Sequence, residues 1–236
     1  MCKFFSLVSD GKGKIMYFDS VIRKKILSKK LNYELDSHTS IADYYGYKGK
    51  DEDTLNKYEY NPLTKKFQVD MLNTIDDSKN VGRFCNELDF KTIVPELIIK
   101  PIINPFIDIK TETISDEDVR LLKQWASFRA SVWDSVRGSV WDSVRDSVWD
   151  SIKNSTRASV WSSIRNYTRD SVWSSVWDSI RNSVGAYMST FFDIKYKYDF
   201  SGCIKLWEKG LVPSFDGDTW RLHGFGGKIL WEWKKY

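Results

Sequence analysis

The sequence predicts an α+β chain in three parts: an N-terminal mixed domain over 1–110, a capping helix and tetrapeptide-repeat array over 115–192, and a small Trp-rich α+β module over 193–236. Three observations predict it. Strand-and-turn patterns alternate with short helical ones before residue 110, a four-residue unit runs without a slip from Ser127 to Thr190, and a helix signal followed by glycine-rich turns closes the chain. With 42% hydrophobic and 15% aromatic residues in 236, the chain can bury a sizeable core.

In the first part, FFSLVS, DGKGK and IMYF read as strand, turn and strand, with Asp-Gly and Gly supplying the positive φ that a hairpin needs. SVIRKKILSKKL then spaces Val21, Ile22, Ile26 and Leu27 as the apolar stripe of an amphipathic helix, with lysines over the rest. Around Asn61-Pro62, NKYEYNPLTKKFQVDML alternates apolar and polar residues as a second hairpin. A short helix follows in DDSKNVGRFCNELD, capped by Asp76, Asp77 or Ser78 and burying Val81, Phe84, Cys85 and Leu88. The apolar run Leu97–Ile109 is broken by Lys100, Pro101 and Pro105 and is too short to cross a bilayer, so a buried connector is expected. Ser115 to Asp118 has the form of a capping box that opens a helix through Val119, Leu122 and Trp125. In the last part, a short helix ends near Gly210, a hairpin turns at HGFGG, and Trp207, Trp220, Trp231 and Trp233 supply core.

Taken in fours from Ser127, the array holds sixteen units: nearly always Ser first, mostly Val or Ile second, mainly Trp or Arg third, and Asp, Asn or a small residue fourth. A twelve-residue period overlies it, since SIKNSTRASVWS at 151–162 matches SIRNYTRDSVWS at 163–174. Two structures compete. In an α-helix a four-residue period drifts by about 40° per unit, so no fixed buried stripe survives a long run, and strong helix formers are almost absent. In favour of the helix stand the Asp–Arg pairs at i,i+3 and a serine ridge at i,i+4 suited to close packing. The alternative is a β-solenoid of twelve-residue coils with Val or Ile inside and Trp, Arg and Asp outside, in which Trp149, Trp161 and Trp173 form one ladder. The weight falls on the β-solenoid, with a long α-helix or helical repeat as the alternative.

The opening MCKF, Asp36-Ser37-His38, the SVWD/SVRD array and the closing GLVPSFDGDTWRLHG resemble a group of repeat proteins found in bacteriophage and gut-metagenome sequences. The resemblance covers most of the chain. It implies a phage or bacterial cytoplasmic setting and supplies no catalytic residues.

The remaining signals bear on function. A net charge of +4, from 36 basic and 32 acidic residues, is far from the bias of a dedicated nucleic-acid binder. Cys2, Cys85 and Cys203 form no CxxC pair and have only His38 and His223 beside them, so no metal site, cofactor or disulfide framework is expected. Met1 removal would expose Cys2 as an N-terminal nucleophile, the one route to a hydrolase; a small side chain at the start of a strand is the simpler reading. For His38 a turn or cap role is expected, for DGKGK a plain hairpin turn rather than a phosphate loop, and for Lys24, Lys25, Lys29 and Lys30 a solvated helix face. No signal-peptide core follows the N-terminus, which points to a cytoplasmic protein.

What stands out as a binding surface is position three of the array: Trp133, Arg137, Trp141, Arg145, Trp149, Arg157, Trp161, Arg165, Arg169, Trp173, Trp177 and Arg181. Indole rings can pack on a partner, and guanidinium groups can pair with carboxylate or phosphate. The same residues can instead stack on one another, with Asp neutralising Arg. The expected function is a non-enzymatic interaction or scaffold protein with a protein partner. Nucleic-acid or nucleotide binding and a Cys2-dependent hydrolase are the alternatives; no membrane is expected, and a homo-oligomer is possible.

Overall fold

A computed structural model describes residues 5–127, 132–143, 153, 160–165, 167 and 173–234. The chain is α+β, with two small antiparallel sheets. Residues up to Pro101 make one compact unit; those from Ile102 on, Ser143 apart, make a second.

The first unit is built on a sheet of order β2-β1-β3-β4, from β1 (Phe5–Ser9), β2 (Ile15–Met16), β3 (Asn56–Asn61) and β4 (Lys66–Met71). Both expected hairpins form, and Gly11 and Gly13 turn the first at φ of 69° and 107°. α1 (Ser20–Ser28) starts where Asp19 accepts the Ile22 N–H, and α2 (His38–Tyr44) starts where Ser37 accepts that of Ser40. Ile26, Ile41 and Ala42 from these helices close on Val8, Met16 and Phe18. On the other face, α3 (Ser78–Glu87) buries Val81 and Cys85, and α4 (Phe90–Ile93) sets Phe90 against Phe5 and Tyr60, at ring-centre distances of 5.0 and 5.7 Å.

Three expectations fall short. In α3 and at its C-cap, Phe84 and Leu88 are half-buried where burial was expected. α1 leaves Val21 exposed and buries Arg23 instead, because Arg23 finds three oxygen partners inside. The run Leu97–Ile109 is only half a buried connector: Leu97 and Phe106 are anchored, one in each unit, while Ile98, Ile99 and Ile107 are exposed.

The second unit holds α5 (Asp116–Ala126), α6 (Val132–Ser143), α7 (residues 160–165), α8 (Trp173–Met188) and α9 (Ser201–Glu208), with a sheet of order β5-β6-β7. The capping box of α5 forms between Ser115 and Asp118. Its strands are β5 (Val212–Phe215), β6 (Thr219–His223) and β7 (Ile229–Lys234). Beyond the expected hairpin of β6 and β7, β5 was hidden from sequence reasoning by Pro213. Trp207 and Trp220 are buried as expected, Trp207 stacked on Tyr187 at 4.7 Å, whereas Trp231 and Trp233 are half-buried on the edge strand β7.

The β-solenoid expectation is corrected here: wherever the array is described as a regular element it is helical, α-helix up to Met188 and a 3-10 turn at Ser189–Phe191. The drift of about 40° per unit defeats one long helix, but three units span only about 80°, which fits within a buried stripe of roughly 100°. Over stretches of that length the objection does not apply. Val132 and Val136 of α6, Val160 and Ile164 of α7, and Val176, Ile180 and Val184 of α8 are all buried, each contributing about 2 kcal/mol. The inward second position was therefore legible even though the backbone was misread.

Serine, the first position, has its own task in α8. Ser179 Oγ accepts the Phe215 N–H at 2.8 Å, and the Ser183 hydroxyl, 3.0 Å from the Ser179 carbonyl, lies 3.4 Å from that of Pro213. These are the outward backbone groups of the edge strand β5. Gly185 interrupts the third position because a Cβ there would stand 3.2 Å from the Trp133 Cα.

Replacing Ser179 with Ala leaves the Phe215 N–H without its acceptor, so Ser179→Ala is expected to cost about 2 kcal/mol in a denaturant melt. Ser174→Ala, at an exposed position of the same helix, is expected to change stability by less than about 0.5 kcal/mol.

Candidate functional site

Arg145, Trp149, Arg157 and Arg169 lie outside the described residues, as do the side chains of Trp141 and Trp173. Apart from Arg181, the others divide by residue type. Trp133 is only 5% exposed, packed between α6 and α8, and the Arg181 guanidinium lies over its ring at 4.9 Å. Asp134 sits 3.7 Å from Arg181, and Asn182 accepts the Trp133 N–H at 3.2 Å. Trp161 meets Trp177 edge-on at 3.8 Å, both half-buried. Arg137 and Arg165 are exposed. Of the expected ladder of Trp149, Trp161 and Trp173, only the Trp161 side chain is described, and it pairs with a ring sixteen residues on; Trp133 and Trp161 pack along helix seams while Arg137 and Arg165 face out.

The Asp36-Ser37-His38 motif serves the first unit's interior. Asp36 Oδ1 accepts from Arg23 Nη2 at 2.5 Å, and both side chains are more than nine-tenths buried. The Arg23 Nε donates to the Phe18 carbonyl at 2.9 Å, and the Ser6 hydroxyl donates to the Asp36 carbonyl at 2.8 Å. Beyond Ser37, the α2 cap, His38 is buried with Nε2 2.9 Å from the Tyr58 carbonyl and Nδ1 3.7 Å from Asp70. Nearby, the buried Asp77 carboxylate accepts from Tyr58 at 2.5 Å, from Asn56 at 3.1 Å and from Ser9.

Among the described residues, sequence reasoning missed a pair with the look of a nucleophile and base. Ser214 Oγ lies 2.7 Å from His223 Nε2, and His223 Nδ1 lies 2.9 Å from the Gly227 carbonyl. A carbonyl at Nδ1 requires the proton there, so Nε2 accepts from the Ser214 hydroxyl. Both side chains are fully buried, and no carboxylate orients the ring in this contact. The pair ties β5 to β6 and to the turn after β6. No chain-order motif announces it, since β5 was not foreseen.

Burial pushes the Cys85 and Cys203 thiols up to about 12, which keeps them protonated at neutral pH. Cys2 lies outside the described residues. Among the described residues no cluster of three His, Cys, Asp or Glu can hold a metal, and no helix is long and apolar enough to cross a membrane. DGKGK is a hairpin turn in which Asp10 accepts the Lys12 and Lys14 N–H groups at 2.8 and 3.1 Å.

A cleft of about 710 Å³ opens between α1 and the segment after α4, lined mainly by Val21, Leu27, Leu35, Ile93, Val94 and Pro95, with Lys24 and Glu96 also on its wall. Its buried cation, Arg23, is neutralised by Asp36. The cleft gathers apolar surface but no convergent set of reactive groups. In comparisons with protein families, curated proteins and solved structures, nothing matches the chain.

Burial lowers the His223 pKa to about 4, so the ring is neutral in the fold and protonates first in the unfolded chain. Its stabilisation is whole above the unfolded value of about 6.5 and is lost as pH falls toward 4, by up to about 3 kcal/mol. Denaturant melts from pH 7 to 4 are expected to show this decline, and His223→Gln to flatten it.

Proposed function

We propose that the chain is a non-enzymatic interaction scaffold whose helical tetrapeptide array presents its third-position arginines to a protein partner. The observation that carries the reading is the division of labour within the four-residue unit. Val and Ile fill the interior, serines in α8 clasp β5, tryptophans pack along helix seams, and Arg137 and Arg165 stand at the surface. The described groups suited to catalysis support the same reading, because His38, His223, Cys85 and Cys203 are buried. An acidic protein surface is the chemistry that suits exposed guanidinium groups, which bind carboxylates through two parallel hydrogen bonds.

The test is native mass spectrometry of the chain purified from a bacterial host that carries its gene naturally, beside Arg137→Glu/Arg165→Glu and a control, Lys24→Glu/Lys29→Glu, in α1 and at its C-cap. A protein mass is expected with the unaltered chain and the control, and is lost with the arginine reversal while the thermal melt stays unchanged. A bare chain in every preparation, or a nucleic-acid mass with high absorbance at 260 nm, overturns the reading.

A further inference from the structure

Strand β4 ends the sheet of the first unit, and no described strand pairs with its outer edge. It is exposed along nearly its whole length, with only Phe67 half-buried. Four of the nine large apolar side chains that stand exposed among the described residues, Val69, Met71, Leu72 and Ile75, lie on it or just after it. An open edge with apolar side chains is a template for another strand.

The sequence of the strand says which one. An antiparallel pair about a two-fold axis through Gln68 sets Lys66 opposite Asp70, Phe67 opposite Val69, and Gln68 opposite itself. Lys66 and Gln68 share one face and Phe67 and Val69 the other, so the apolar pairs stay apart from Lys66. Charges on an edge strand ordinarily discourage pairing, because a chance neighbour leaves them unmatched or opposed. In the mirror register each meets its opposite. Residues 66 to 69 hold regular register with β3, and the shift that follows leaves Asp70 as the extra residue, its carboxylate 3.7 Å from His38 Nδ1 of its own chain and 45% exposed toward the edge's surroundings.

We propose that β4 pairs antiparallel with β4 of a second copy of this chain about an axis through Gln68, joining two four-stranded sheets into one. The pairing is independent of the array and of its partner.

Sedimentation velocity of the full chain over a concentration series tests it. A reversible monomer–dimer equilibrium is expected. K66E places like charges opposite each other twice per dimer and weakens association about tenfold, as does D70K. The double variant K66E/D70K restores the ionic pairs with reversed polarity and recovers most of the lost affinity. Lys66 is exposed and Asp70, 3.7 Å from His38 Nδ1, is 45% exposed; an unchanged thermal melt of each variant separates lost pairing from lost folding. A monomer at every concentration, a dimer indifferent to the single changes, or a double variant as weak as the singles overturns the proposal.

Discussion

An edge strand cannot be left with its backbone groups facing an apolar layer, and in the second unit a repeated serine answers that constraint. Along an α-helix four residues advance about 6 Å, and along a strand two residues advance about 6.8 Å. A serine at every fourth helical position therefore keeps near step with every second residue of an adjacent strand. Ser179 meets Phe215 and Ser183 meets Pro213, the two chains running in opposite directions. Pro213 fits the same scheme, because the ladder to β6 asks nothing of its missing N–H. With the edge covered in this way, α8 can bury Val176, Ile180 and Val184, Trp133 can settle against Gly185, and Arg181 can lie over the indole.

Inside each unit, polar groups serve cohesion. Asp77 heads α3, yet its carboxylate turns inward to gather Ser9, Asn56 and Tyr58 from the two central strands. Arg23 and Asp36 join α1 to the loop before α2 in the same manner. Ser214 and His223 repeat it in the second sheet. A buried polar group without its partner costs more than the bond itself contributes, so these contacts favour one arrangement of the chain over looser ones.

What could be read from sequence was what local chemistry decides. Hairpins, caps and the inward second position of the array followed from turn residues, the Ser115–Asp118 box and apolar spacing. The backbone of the array did not, because the drift argument holds for a long helix and says nothing of a short one, while low helix propensity was overridden by packing on β5. Arg23 and Val21 exchanged their expected places because burial of a cation depends on Asp36, thirteen residues away, and no periodicity reports such a partner. Trp likewise reads as surface or seam only once the neighbouring helix is known. Of the candidate surface, exposed Arg137 and Arg165 were foreseen, and the buried Ser214–His223 contact was invisible without β5.

The four-residue unit also sets the grain of any change in the array's length. A helix can add tetrapeptides only until the drift carries valine out of the buried stripe, after about three or four of them. The described stretches of α6 and α8, twelve and sixteen residues long, fall within that range. Twelve is likewise the interval at which 151–162 echoes 163–174. A gene that duplicates or loses twelve residues at a stroke thus adds or removes a helix's worth of chain and leaves the phase of Ser, Val and their neighbours untouched. Descendants of such a gene would differ in arm length by whole helices, a form of inheritance that counts in threes.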